Sequence, residues 1–168
     1  MLHIPPVFGS CLKRTPALAD LILERYAPLA DEMLFVFSNG GVNHLPVEMA
    51  MRAKERGLFV VGVSSLAYAR EAPLSALRLR PHQVVDVPLD HGGVPGDALL
   101  ELDDLDWRVA PSSTVVGRLI WNVLVAETAR LLQTSGVTPP IPVRLNVVDA
   151  EEHNQALLEK WRPRNIHL

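Results

Sequence analysis

The sequence predicts an α/β fold, a three-layer α/β/α sandwich around a mainly parallel, doubly wound sheet. Three observations predict it. Met33–Phe37 and residues 58–63 are unbroken apolar runs, as parallel strands are when helices cover both faces. Both runs stop abruptly in small polar residues, Ser38-Asn39-Gly40-Gly41 and Ser64-Ser65. Between them lies a segment with helical spacing, so strand, helix and strand alternate as a crossover sheet requires.

The elements follow in order. Residues 3–8 are short, apolar and hold two prolines, which suits an edge strand. Residues 15–30 read as a helix with Leu18, Ile22 and Leu29 near one face and Asp20 and Glu24 between them. After the strand at residues 33–37, residues 45–56 form a helix that Gly57 ends. The strand at 58–63 follows, and residues 83–89 form a third strand running into Asp90-His91-Gly92-Gly93. Residues 98–102 and 107–109 pair as a short hairpin across residues 103–106. Ser112 or Ser113 caps a long helix reaching about Gln133. Apolar residues surround much of that helix, which places it between the sheet and another surface. Pro139-Pro140 opens an extended segment to Val147, and residues 149–161 close the chain as a polar helix. No repeat or low-complexity linker interrupts the pattern, so residues 1–168 are expected to form one domain.

Bulk properties exclude several classes. With 48% hydrophobic and 21% charged residues the chain is globular, and a net charge of −3 without a basic stripe argues against nucleic acid as a partner. Cys11 is the sole cysteine, so no internal disulfide and no cysteine metal site is expected; it reads as a small apolar filler. His3, His82, His153 and His167 form no metal-like cluster, and no cofactor is expected. Glu151, Glu152 and His153 read as a solvated helix face. The N-terminal stretch lacks the basic start and apolar core of a secretory signal. Residues 115–132 are interrupted by Arg118, Asn122, Glu127 and Arg130, so no membrane span and a cytoplasmic location are expected.

Ser38, Asn39, Gly40 and Gly41 form a candidate anion loop, because hydroxyl and amide donors beside glycine let the backbone approach phosphate oxygens. Ligands of open α/β sheets bind at such strand ends, and a helix N-terminus favours an anion. Asn43 stands where the next helix starts, either capping it or touching the ligand. The loop lacks the Gly-Lys-Ser/Thr ending of a P-loop and the spaced glycines of a dinucleotide site. Its blander reading is a tight strand-to-helix turn. Ser64 and Ser65 reach the same crevice if their strand is a neighbour; otherwise they simply begin a surface loop.

The run from Phe37-Ser-Asn-Gly-Gly-Val-Asn43, through Pro46-Val-Glu-Met-Ala50 and Ala53-Lys-Glu-Arg-Gly57, to Val61-Gly-Val-Ser-Ser65 resembles the sugar isomerase (SIS) domain. A bacterial SIS subfamily related to phosphoheptose isomerase-like proteins fits further at Gly96-Asp-Ala98, Pro111-Ser-Ser-Thr-Val115, Pro139-Pro140 and Glu152-His-Asn154. The resemblance covers nearly the whole chain from about Pro5 onward. It implies phosphosugar binding, by an aldose–ketose isomerase or by a sensor module, and a homo-oligomer of two or more copies. By position, Ser38, Asn39, Gly40 and Asn43 would hold the phosphate, and Ser64 and Ser65 would line the same pocket.

Departures from the family pattern stand beside it. Gly40 replaces the usual second serine, and Val42 a residue that is commonly polar or basic. Residues 74–81 lack the family's His-x-Ser-Gly-Lys-like segment; Arg78 and Arg80 there are expected as a solvated pair. The family's first strand, ending in a Gly-x-Gly-His-Ser-like turn, is expected to be missing.

Isomerisation would need a base that moves a proton between adjacent carbons. The candidates are Glu48, His44, His91 and Glu127. Glu48 lies one helical turn past the loop, though a first-turn glutamate complementing its helix dipole is the favoured reading. His44 and His91 are expected in strand-end loops, and Glu127 on an exposed or interface side of the long helix. Three functions remain in view: an isomerase, a sugar-phosphate sensor or regulatory module, and a dimerising SIS protein that binds nothing small.

Overall fold

A computed structural model describes residues 11–165, so the edge strand expected at residues 3–8 lies outside the described residues. The chain divides into two compact units, Met1–Ile120 and Trp121–Leu168.

In the first unit, helix α1 covers Leu18–Tyr26, shorter at both ends than expected. Ala17 and Ala27 sit at its ends in the left-handed conformation, at φ 63° and 43°. Pro28 explains the early stop, since a proline disfavours helical geometry in the residue before it. The buried face is Ala19 and Leu23, one residue out of phase with the expected stripe, and Leu29 is exposed.

Strand β1, Met33–Phe37, leads into helix α2, His44–Glu55. Gly57, at φ 83°, ends α2 with its N–H on Lys54 O (2.9 Å), and Leu58 N–H bonds Ala53 O (3.0 Å). This paired pattern satisfies the last carbonyls of a helix while glycine adopts the left-handed turn. Strand β2, Phe59–Ser64, follows, then short helices α3, Leu66–Glu71, and α4, Pro81–Val84, and strand β3, Val87–Asp90. The sheet is parallel in the order β1-β2-β3, with Val36 opposite Gly62 and Val61 opposite Val87. Its core joins Val36, Leu58 and Val60 to Leu23 of α1 and to Ala50 and Ala53 of α2. The spacing of Val47, Ala50 and Ala53 gives α2 one fully buried stripe of small side chains, which lets the helix lie close on the sheet. The expected α/β class holds: a parallel three-stranded sheet flanked by helices.

The third strand starts later than expected. Pro81 begins one helical turn instead, and the Gln83 side chain accepts the Arg80 N–H at 2.7 Å. Asp86 then ties this segment to its neighbours, taking Val60 N–H at 2.8 Å and the Lys54 ammonium at 2.7 Å. The Lys54 bond, with the Val60 amide, holds the Asp86 carboxyl below the ordinary carboxylate range.

The hairpin pairs β4, Ala98–Leu100, with β5, Val109–Pro111, antiparallel; its second arm lies two residues later than expected. Helix α5 runs over Ser113–Thr134. Neither Ser112 nor Ser113 alone holds its start. The Asp97 carboxylate accepts Ser113 N–H (2.8 Å), Ser113 Oγ–H (2.7 Å) and Ser112 N–H (3.1 Å). Contrary to the expected sandwich, no residue of α5 is buried, and Val115, Leu119 and Val123 are each more than half exposed.

In the second unit, residues 139–147 form no sheet ladder. Their backbone is met instead by side chains of helix α6, Ala150–Trp161. Asn154 Nδ2 donates to Val143 O at 2.6 Å, and Asn154 Oδ1 accepts Val143 N–H at 2.8 Å. His153 Nε2 lies 2.9 Å from Ile141 O, so this residue of the expected solvated face is exposed but engaged.

Candidate functional site

Neighbouring parallel strands carry their C-terminal ends to one edge. The ladder continues past them: Ser38 N–H bonds Val63 O (2.9 Å), Ser65 N–H bonds Asn39 O (2.9 Å), and His91 N–H bonds Ser64 O (3.0 Å). Residues 38–39, 64–65 and 90–93 therefore meet, as the strand-neighbour reading required.

The two loop glycines have a packing cause. A Cβ on Gly40 would lie 2.7 Å from Cε1 of the Tyr68 ring, which α3 presses against the loop. Gly41 combines φ 63° with a point only 2.4 Å from Pro81 Cδ, at the start of α4. Any larger residue would push the loop off both helices. Asn43 is the N-cap position of α2, yet its side chain makes no capping hydrogen bond among the described residues. Leu45 N–H is taken by Lys13 O at 3.0 Å. Residues 38–45 contain no lysine or arginine, so an anion here would depend on backbone amides, hydroxyl and amide side chains.

Ser64 and Ser65 are buried and do not begin a surface loop. Ser65 caps α3, accepting Tyr68 N–H at 3.0 Å, while its own hydroxyl donates to Gly93 O. That pair of bonds fastens the loop after β3 to the end of β2.

His44 is not in a loop; it is the first residue of α2 and buried. Its Nε2 stands 3.5 Å from Glu48 Oε1, and its Nδ1 is buried with no hydrogen-bond partner among the described residues. Glu48 falls in the second turn of α2, so the first-turn reading is corrected. The carboxylate accepts Ala17 N–H at 2.9 Å and Ala19 N–H at 3.4 Å, and so complements the N-terminus of α1 rather than of its own helix. Glu127 belongs to the second unit, where the Arg130 guanidinium bonds it and holds its carboxyl below the usual range.

Arg78 is exposed, but Arg80 is not the solvated residue expected. Arg80 is buried, and its guanidinium donates to Pro73 O at 3.0 Å and to Ala72 O, just past the C-terminal end of α3. The sequence offers no local sign of this, because the carbonyls that need the donors lie seven and eight residues earlier.

The loop after β3 adds polar groups to this edge. Asp90 Oδ1 accepts Gly92 N–H (2.9 Å) and Leu66 N–H (3.2 Å); these amides, the Gly92 bond foremost, hold its carboxyl below the ordinary range. His91 Nδ1 accepts Gly93 N–H at 3.1 Å. Asn39 Oδ1 and His91 Nε2 are both buried and have no hydrogen-bond partner among the described residues. Its sequence signal is the Gly92-Gly93 pair, which repeats Gly40-Gly41 at the end of another strand. Among the described residues, no His, Cys, Asp and Glu side chains gather as a metal site, and no helix is long and apolar enough to cross a membrane.

A family model described as the SIS domain matches residues 1–65. A UPF0309 protein of Caldanaerobacter subterraneus subsp. tengcongensis is 34% identical over 171 residues, which covers 100% of this chain and 70% of that protein. A UPF0309 protein of Halalkalibacterium halodurans is 37% identical over 166 residues, covering 98% of this chain and 66% of its own length. One of Geobacillus thermodenitrificans is 34% identical over 165 residues, again covering 98% and 66%. The chain thus spans about two thirds of the length of these relatives.

Proposed function

The chain belongs to the UPF0309 family and carries an SIS domain, and from that premise we propose that it binds a phosphosugar at the C-terminal ends of β1, β2 and β3. One observation carries the reading: residues 38–43 lie between the end of a parallel strand and a helix whose N-terminus has no side-chain cap among the described residues. On this reading Ser38, Gly40, Gly41 and Asn43 surround the phosphate, and Asn39 meets the sugar beside it. Ser64 and Ser65 wall the crevice, with the Ser65 hydroxyl already holding Gly93 in place.

Binding without turnover by Glu48 is the favoured form, a sensor or regulatory module. The support is the carboxylate itself, whose two oxygens accept backbone amides of α1. A second reading, aldose–ketose isomerisation with Glu48 and His44 moving the proton, rests on their buried approach at 3.5 Å. A homo-oligomer fits the uncovered apolar residues of α5.

The test is a thermal shift against sugar 6-phosphates, sugar 1-phosphates, amino-sugar phosphates and inorganic phosphate. A ligand that binds only the folded chain adds about 2.7 kcal/mol of stability at a hundred times its Kd. The expected result is a shift with one class of sugar phosphate, weakened by Ser38→Ala. No shift with any of them would sink the proposal. Turnover abolished by Glu48→Gln with binding retained would select the isomerase.

A further inference from the structure

Asn39 and His91 come from the ends of different strands, β1 and β3, and both border Gly93. A Cβ built on Gly93 would lie 3.3 Å from Asn39 Oδ1 and 2.5 Å from His91 Cε1, so the carboxamide and the ring flank one point where only glycine fits. Both present a buried polar atom with no partner among the described residues: Oδ1 of Asn39 and Nε2 of His91. Buried polar atoms in native proteins are nearly always bonded, and an exception calls for an unseen group.

The chemistry of the two atoms narrows that group. Gly93 N–H donates to His91 Nδ1, so Nδ1 is the acceptor nitrogen and the neutral ring carries its hydrogen on Nε2. His91 Nε2 is therefore a donor awaiting an acceptor, and Asn39 Oδ1 is an acceptor awaiting a donor. A phosphate dianion, which only accepts, meets the first demand and fails the second. A hydroxyl accepts and donates at once and meets both.

We infer that Asn39 and His91 form a hydroxyl subsite, which holds one sugar hydroxyl between the Asn39 carboxamide oxygen and the His91 Nε2–H. The inference rests on the phosphosugar reading and deepens it. The phosphate lies at the start of α2, and the sugar extends along the strand ends toward the loop after β3. Ser65 supports the subsite by holding Gly93, whose amide in turn sets the His91 tautomer.

The test compares glucose 6-phosphate and fructose 6-phosphate with inorganic phosphate, by calorimetry, on the wild-type chain and on Asn39→Ala, His91→Phe and His91→Gln. Each of the first two variants is expected to weaken binding of at least one hexose phosphate by about three- to tenfold, as the loss of one hydrogen bond does, and to leave inorganic phosphate unchanged. His91→Gln, which keeps an amide donor, is expected to recover part of the loss. Asn39→Ala is expected to leave the ligand-free Tm unchanged or higher, since Asn39 Oδ1 has no partner to lose; a structural role would lower it.

Equal weakening of hexose phosphate and inorganic phosphate would overturn the inference, as would unchanged binding in both variants or a fall in Tm that parallels the lost affinity. A wild-type chain that binds inorganic phosphate but neither hexose phosphate more tightly would also overturn it. A wild-type chain that binds none of the three removes the phosphosugar reading and this subsite together, whereas strong wild-type binding with unaffected variants removes the subsite alone.

Discussion

Glu48 stands 31 residues from Ala17, yet its Oε1 accepts the Ala17 N–H at 2.9 Å and so supplies the cap that α1 lacks. Ala17 has no polar side chain to do this for itself, and α1's start would otherwise leave buried amides unmet. The glutamate that sequence position made a candidate base is held as part of the fold.

Replacing Glu48 should therefore act first on stability. Glu48→Ala removes both accepting oxygens and is expected to cost about 2 kcal/mol, the loss of a cap plus unmet buried amides. Urea denaturation measures it. If stability is untouched while sugar-phosphate turnover disappears, the cap assignment fails and the carboxylate acts on the ligand.

Ala17 itself is strained. It holds φ 63°, a conformation that glycine adopts readily and alanine does not. Ala17→Gly is expected to raise stability by about 1 kcal/mol, seen as a higher urea midpoint with an unchanged slope. A decrease would mean that the left-handed geometry at Ala17 is not what limits the start of α1.

Gly40 tests the loop's packing. In Gly40→Ala the new methyl group would lie 2.7 Å from the Tyr68 ring, and the loop must yield. The expected outcome is weaker phosphosugar binding, partly restored when Tyr68 is shortened to leucine in the same chain. Calorimetry on the single and double variants reads this coupling directly. Additive losses would show that the Tyr68 ring is not what requires glycine.

Asp97 makes the acid side of stability predictable. Burial alone would raise its pKa, but the Ser113 hydroxyl, with the Ser113 and Ser112 amides, outweighs burial, and the folded pKa lies below the ordinary 3.8. A carboxyl lowered on folding stabilises fully above its unfolded pKa and loses that contribution as pH falls through the folded value. Asp97→Asn is expected to cost about 1 kcal/mol at neutral pH. The gap between the two proteins should begin to narrow below about pH 4 and go on narrowing as pH falls through the lower folded value. Denaturation of both across pH 3–7 checks it; a gap that stays constant from pH 7 down to pH 3 would count against Asp97 as the cause.

The local elements were legible where their cause is local. The apolar runs of β1 and β2 announce buried parallel strands, and Gly57 announces the end of α2 through the left-handed turn it adopts. Some departures from the expected pattern have local causes too. Pro28 shortened α1, and the β3 region began with a helical turn because Pro81 and Gln83 favour one. Asn43 looked like the cap of α2, but its side chain makes no such bond among the described residues.

By itself the sequence determined the α/β class, the polar ends of the strands and the glycine-rich loop, because each follows from residues within a few positions of one another. Only the tertiary structure decided what the polar residues of that edge do. Glu48 reaches α1, Arg80 reaches the carbonyls after α3, and Asp97 reaches α5, each a hydrogen bond to a backbone brought near by folding. Asn39 and His91, 52 positions apart in the chain, both come against Gly93 although β2 lies between their strands. Hydrogen-bond partners act over about 3 Å in space and carry no fixed spacing in sequence, so pattern reading finds the groups but not their assignments.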